Sequence, residues 1–113
     1  MNISEYSKQA ITTLMNEHAF GDMKPELVSQ VLGLVGESGE VADKFKKLIR
    51  DKNGALDPAD IHEILKELGD VLWYVNSISY LLGSNLEEVA QQNLDKLLSR
   101  KSRGQLSGSG DNR

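Results

Sequence analysis

Two stretches of this chain carry the same chemical phrase. Glu37-Ser38-Gly39-Glu40-Val41 and Glu67-Leu68-Gly69-Asp70-Val71 both read acid, any residue, Gly, acid, Val, and they are offset by thirty residues. Both lie in segments whose apolar residues recur at helical spacing, and two acids three positions apart share one face of a helix. If the two helices form an antiparallel hairpin turning near Asn53-Gly54, residue i lies level with residue 107 − i, so that Glu37 faces Asp70 and Glu40 faces Glu67. At about 100° per residue, both acids of each pair fall on the same flank of the apolar seam. Four carboxylates then converge on one patch, and Glu63, one turn before Glu67, is an additional candidate for it. Like charges held together repel and raise one another's pKa. Such a patch calls for a cation, and a hard divalent ion with oxygen ligands fits the donors; Mg2+ takes one or two carboxylates together with water and phosphate oxygens.

The elements that must position these acids follow from periodicity and caps. Ser4 is the expected N-cap of a first helix that carries Ala10, Ile11, Leu14 and Met15 on one side and ends before Gly21. Pro25 suits the first turn of a second helix, reaching Arg50, whose apolar face is Leu27, Val31, Leu34, Val41, Phe45 and Leu48. Gly33, Gly36 and Gly39 within it each cost up to about 1 kcal/mol relative to Ala, which implies close approach by another backbone or a ligand. Asp51-Lys52-Asn53-Gly54 supplies turn chemistry, and Asp57-Pro58 restarts a helix as N-cap and first helical residue. Its apolar face runs from Ile61 through Ile64, Leu65, Leu68, Val71, Leu72, Val75 and Ile78 to Leu82, with Gly83 as the stop. Asn85 and Glu88 have capping-box spacing for a fourth helix, which buries Leu86, Val89, Ala90, Leu94, Leu97 and Leu98 and turns Asn93, Lys96 and Arg100 to its polar side. The expectation is an all-α fold: a helical bundle built on two long antiparallel helices carrying the acidic motifs, with the shorter helices beside them, completed by oligomerisation. One domain covers residues 1–101, and a Gly/Ser-rich segment, 102–113, reads as a flexible tail.

Composition narrows the function classes. The 113 residues carry a formal charge of -4, which argues against a basic nucleic-acid surface while leaving room for a small anion held through metal. With no cysteine, disulfides and thiolate metal sites are excluded. The opening Met1-Asn2-Ile3-Ser4-Glu5 has no charged and apolar leader pattern, and no window approaches a membrane span, so the default expectation is a cytoplasmic protein without a membrane partner. Lys44, Lys47, Lys96 and Arg100 are candidates for phosphate oxygens, and Trp73 and Tyr74 for stacking on a base. For each of these the alternative is an ordinary helix charge or a packed aromatic. His18 and His62 have no paired ligand spacing and receive no role.

The paired motif, with its flanks from Leu32-Gly33-Leu34 through Leu72-Trp73-Tyr74 to Asn93-Leu94-Asp95-Lys96-Leu97, resembles the MazG-like all-α nucleoside triphosphate pyrophosphohydrolases. The resemblance implies Mg2+, with Mn2+ as a substitute, held by Glu37, Glu40, Glu67 and Asp70, with Glu37 and Glu40 as the catalytic carboxylates. It implies a nucleoside triphosphate substrate attacked by water at the α-phosphorus, leaving a monophosphate and pyrophosphate, in a task such as nucleotide-pool sanitation. It places Asn93 and Lys96 close to the nucleotide, beside which Lys44, Arg100 and Trp73 stand as substrate contacts expected from their own chemistry, and it implies a homodimer or homotetramer whose site a neighbouring subunit can complete. One departure stands out: many relatives carry a further acid immediately before the first motif Glu, where this chain has Gly36. The general base is therefore open between Glu37 and the metal acting alone on its water. Two rival readings also remain, a protein that binds metal and nucleotide without turning it over and a bundle whose seams serve assembly only.

Overall fold

The computed structural model describes residues 1–15 and 19–113; His18 lies outside the described residues. Four helices follow one another, α1 (Ile3–Ile11), α2 (Pro25–Lys52), α3 (Pro58–Leu81) and α4 (Leu86–Ser102), and no strand occurs among the described residues. None of these helices is long and apolar enough to cross a membrane.

α2 and α3 form the antiparallel hairpin that carries both acidic motifs. Asn53 (φ 52°) and Gly54 (φ 77°) take the left-handed conformation that ends α2 and turns the chain, as Asn and Gly do with least strain. Asp57 then caps α3 reciprocally: its side chain accepts from the Asp60 amide at 2.9 Å, and Asp60 accepts from the Asp57 amide at 3.1 Å. Lys52 closes the turn by pairing with both Asp57, at 2.8 Å, and Asp60. The Lys52 ammonium and the helix amide together pull the Asp57 carboxyl down to about 2.

The register of the hairpin is set by two contacts that are level pairs in the expected alignment. Ser77 Oγ donates to Gln30 Oε1 at 2.7 Å, and the Tyr74 ring lies on Gly33, where an added Cβ would meet Tyr74 Cε1 at 2.2 Å. Gly33 therefore has the close neighbour that its helix cost implied. Nothing lies within 4 Å of the corresponding positions at Gly36 and Gly39, so in the single chain their expected close approach is absent.

Several local expectations are corrected. The N-cap of α1 is Asn2, not Ser4: Asn2 Oδ1 accepts from the Glu5 amide and the Glu5 carboxylate from the Asn2 amide, completing a capping box that Ser4 has no partner to form. α1 stops at Ile11, short of Leu14 and Met15, because the Thr12 and Thr13 hydroxyls donate back to the Gln9 and Ala10 carbonyls at 2.7 Å and compete with the helix. α2 runs to Lys52, beyond Arg50. At α4 only half of the box forms, since Asn85 accepts from the Glu88 amide while the Glu88 carboxylate accepts from the Ser84 hydroxyl at 2.6 Å.

The packing is thin for a chain with this much apolar surface. α4 touches only α3, and α1 touches no other helix, so it does not pack beside the hairpin as expected. Ile64 is the one buried hydrophobic residue among those described; Leu65, Leu72 and Leu98, each assigned to a buried face, are all more than half exposed. Val31, Phe45, Ile61, Leu68, Leu82, Val89, Leu94 and Leu97 are likewise exposed. A helix stripe is buried only where another element covers it, and within one chain the α2–α3 seam supplies most of that cover, with a smaller share where α4 meets α3.

Candidate active site

The hairpin brings three of the four motif acids together. One carboxylate oxygen from each of Glu37 on α2 and Glu67 and Asp70 on α3 lies within 4.8 Å of the others. Glu37 and Glu67 are half-buried against the hairpin, and Asp70 is exposed. Glu40, one turn along α2, is exposed and stands outside this trio. Its charge still acts there: partial burial, then the charges of Asp70, Glu67 and Glu40 and a side-chain hydrogen bond with Glu67, hold the Glu37 carboxyl above its ordinary pKa. Glu63 is directed elsewhere, pairing with Lys66 at 3.4 Å and lining a separate cavity with Lys44, Lys47 and Asp60.

The donors suit a hard cation. All three are carboxylate oxygens, the ligand type that Mg2+ takes, and they lie within 4.8 Å of one another. After partial burial, the repulsion from Asp70, Glu67 and Glu40 that helps to raise the Glu37 pKa is what a divalent cation would relieve. Lys44 answers part of it, with Nζ 3.6 Å from Glu67 Oε1.

The remaining candidates are spread over α2, α3 and α4. Lys47 is engaged by Asp43 at 2.8 Å. Trp73 follows the site along α3, 58% exposed, with its ring edge-on to Tyr74 at 5.0 Å between centroids. Asn93, Lys96 and Arg100 gather on α4, where a cleft is lined by Val89, Gln92, Asn93, Lys96 and Asp111 and includes none of the acidic trio. Lys96 Nζ donates to Asp111 Oδ1 at 2.9 Å, and the buried Arg100 donates to Asp111 as well. Asp111 had no signal in the sequence: it is an isolated acid in a Gly/Ser-rich stretch, and only the folded chain places it between two cations. His62 is exposed on α3 and joins none of these groups.

Residues 25–104 match the model of the MazG nucleotide pyrophosphohydrolase domain. The chain belongs to this family. The match spans α2, α3 and α4 and thus both halves of the acidic motif, and membership points to a nucleotide pyrophosphohydrolase. A relative, the Gene 37 protein of Mycobacterium phage L5, is 51% identical over 82 residues, covering 73% of this chain and 72% of its own. No solved structure matches the chain.

Proposed function

We propose that the protein is a Mg2+-dependent hydrolase that cleaves ribo- or deoxyribonucleoside triphosphates at the α-phosphorus, leaving a monophosphate and pyrophosphate, with nucleotide-pool sanitation as its task. The observation that carries this reading is the convergence of Glu37, Glu67 and Asp70 in a chain of the MazG family. These three residues would hold the ion, with Glu40 as the fourth carboxylate. Bound there, Mg2+ or Mn2+ supplies positive charge to the phosphate oxygens and acidifies a water molecule.

The chain's own groups supply the rest. Glu37, beside Glu67 and Asp70 at the ion position, accepts the proton of the attacking water, taking the role for which Gly36 has no side chain. Lys44 balances Glu67 and lies ready for the phosphates. Asn93, Lys96 and Arg100 bind the phosphate chain by charge-assisted hydrogen bonds, and Trp73 offers an exposed face for the base.

The functional form in this reading is a homodimer or homotetramer. Its support is the large apolar surface that one chain leaves uncovered, including Leu32, Val35, Ile49, Leu65 and Leu72. Assembly would also bring the α4 cations, which share no cleft with the trio in one chain, to acids of a neighbouring subunit. The substrate is a free nucleotide and the compartment the cytoplasm; the charge of -4 and the exposed carboxylates disfavour nucleic acid as a partner. Glu40→Gln tests the assignment: turnover is lost while helicity and assembly persist, and full activity in that variant would sink it.

A further inference from the structure

Beyond the α4 helix the chain folds back on itself in a way that reaches the candidate phosphate contacts. Gly104, Gly108 and Gly110 adopt positive φ (69°, 116° and 89°), which bends residues 103–113 into a compact loop. The Arg113 guanidinium ties the loop together, donating to the carbonyls of Gly110 at 2.6 Å, Leu106 at 3.1 Å and Gln105 at 3.2 Å. Arg103 donates to the Arg113 main-chain oxygen at 2.8 Å. The result delivers Asp111 to α4, where its carboxylate accepts from Lys96 and its carbonyl and carboxylate accept from Arg100. This loop lies beyond the residues that match the family, apart from its first two positions.

Two features mark Asp111 as an occupant of an anion site. The Arg100 side chain is 6% exposed, yet its Nε is buried and finds no hydrogen-bond partner among the described residues. A guanidinium is matched by an oxyanion that takes two parallel N–H bonds, and Asp111 engages Nη2 alone. The Asp111 side chain is itself 78% exposed, held from one side only. The two cations keep its carboxyl below the ordinary carboxylate range, as they would any acidic ligand seated there.

We propose that residues 103–113 form a built-in competitor for the phosphoanion site of α4: Asp111 sits between Lys96 and Arg100 in the place of a substrate phosphate and must leave before one binds. The inference rests on the reading above that Lys96 and Arg100 meet phosphate oxygens. A short tether presents its end at an effective concentration on the order of millimolar, and the Asp111 side chain that makes the ion pairs is itself largely solvent-facing. The competition is therefore modest, about fivefold to tenfold in apparent affinity.

The test is calorimetric titration of inorganic pyrophosphate, in the presence of chelator, into the full-length protein and its Asp111→Asn, Lys96→Ala and Glu87→Gln variants. Asp111→Asn is expected to bind pyrophosphate about fivefold to tenfold more tightly than the parent. Glu87→Gln, which removes one negative charge at the other end of α4, should match the parent, and Lys96→Ala should bind more weakly. Pyrophosphate should also speed tryptic cleavage after Arg103 in the parent. Equal affinity in the parent and Asp111→Asn, with Lys96→Ala still weakened, would overturn the competitor and leave the phosphate contacts standing. No pyrophosphate binding by any variant would overturn both.

Discussion

Replacing Gly33 by alanine probes the contact that sets the hairpin and, through it, the carboxylate cluster. The new Cβ would stand 2.2 Å from Tyr74 Cε1, 2.4 Å from Cζ and 2.8 Å from Cδ1. Non-bonded carbons rest at about 3.5–4.0 Å, so the ring edge has to retreat by more than about 1 Å. Overpacking of this kind costs about 1–3 kcal/mol, while the helix gains about 1 kcal/mol from Gly to Ala. Gly33→Ala should therefore lose up to about 2 kcal/mol in urea unfolding followed by far-ultraviolet circular dichroism. Gly36→Ala, with nothing within 4 Å, should instead gain up to about 1 kcal/mol. Gly33 lies one turn before Glu37 and Tyr74 one turn after Asp70, so the displaced ring opens the hairpin beside the acids. Ligand supports of that sort change metal affinity by about tenfold or more, and Mg2+ titration of Gly33→Ala should show such a loss. If Gly33→Ala stabilises the protein as much as Gly36→Ala does and keeps its Mg2+ affinity, the argument from the Tyr74 contact is wrong.

Three other outcomes are expected. Because the Glu37 pKa is raised in the folded protein, its contribution to stability is present at low pH and lost as pH rises through that raised value. Glu37→Gln should thus raise the melting temperature in chelator at neutral pH while abolishing stabilisation by Mg2+; a lower melting temperature in chelator would contradict the crowded-carboxylate account. The lowered Asp57 pKa has the opposite sign, giving stability present above pH 3.8 and lost as pH falls towards about 2; Asp57→Ala should flatten that part of the acid-unfolding curve. Trp73→Ala should raise KM for nucleotides about tenfold with kcat little changed, since stacking on one base is worth about 1–3 kcal/mol; an unchanged KM would remove Trp73 from the site.

The parts of the fold that were legible in the sequence are those specified locally or by one repeated pattern. Pro25, Asp57-Pro58, Asn53-Gly54 and Gly83 act within a turn of themselves, and each lies where its chemistry requires. The hairpin register followed from the turn at Asn53-Gly54, because level pairing of two antiparallel helices is fixed once their turn is known, and Gln30–Ser77 and Gly33–Tyr74 obey it. What the sequence did not disclose depends on competition or on distance along the chain. Two threonines end α1 early by local hydroxyl bonds, a balance that apolar spacing does not report. The exposed seam of α4 has the same amphipathic pattern as a buried one, since the pattern records that a face needs cover and not which chain covers it. Asp111 meets Lys96 and Arg100 only because three glycines and Arg113 bend the intervening segment, and a Gly/Ser-rich stretch looks the same whether it bends or drifts. Within the candidate site, spacing put four acids on one flank, and side-chain geometry gathers Glu37, Glu67 and Asp70 with Glu40 one turn away.

The central claim is most directly tested by product analysis with the purified protein, Mg2+ and a panel of ribo- and deoxyribonucleoside triphosphates, scoring pyrophosphate and orthophosphate separately in the parent and in Glu67→Gln. The account predicts nucleoside monophosphate and pyrophosphate in equal amounts, lost on chelation and lost in Glu67→Gln. Release of orthophosphate, or pyrophosphate release that survives in Glu67→Gln, would contradict it.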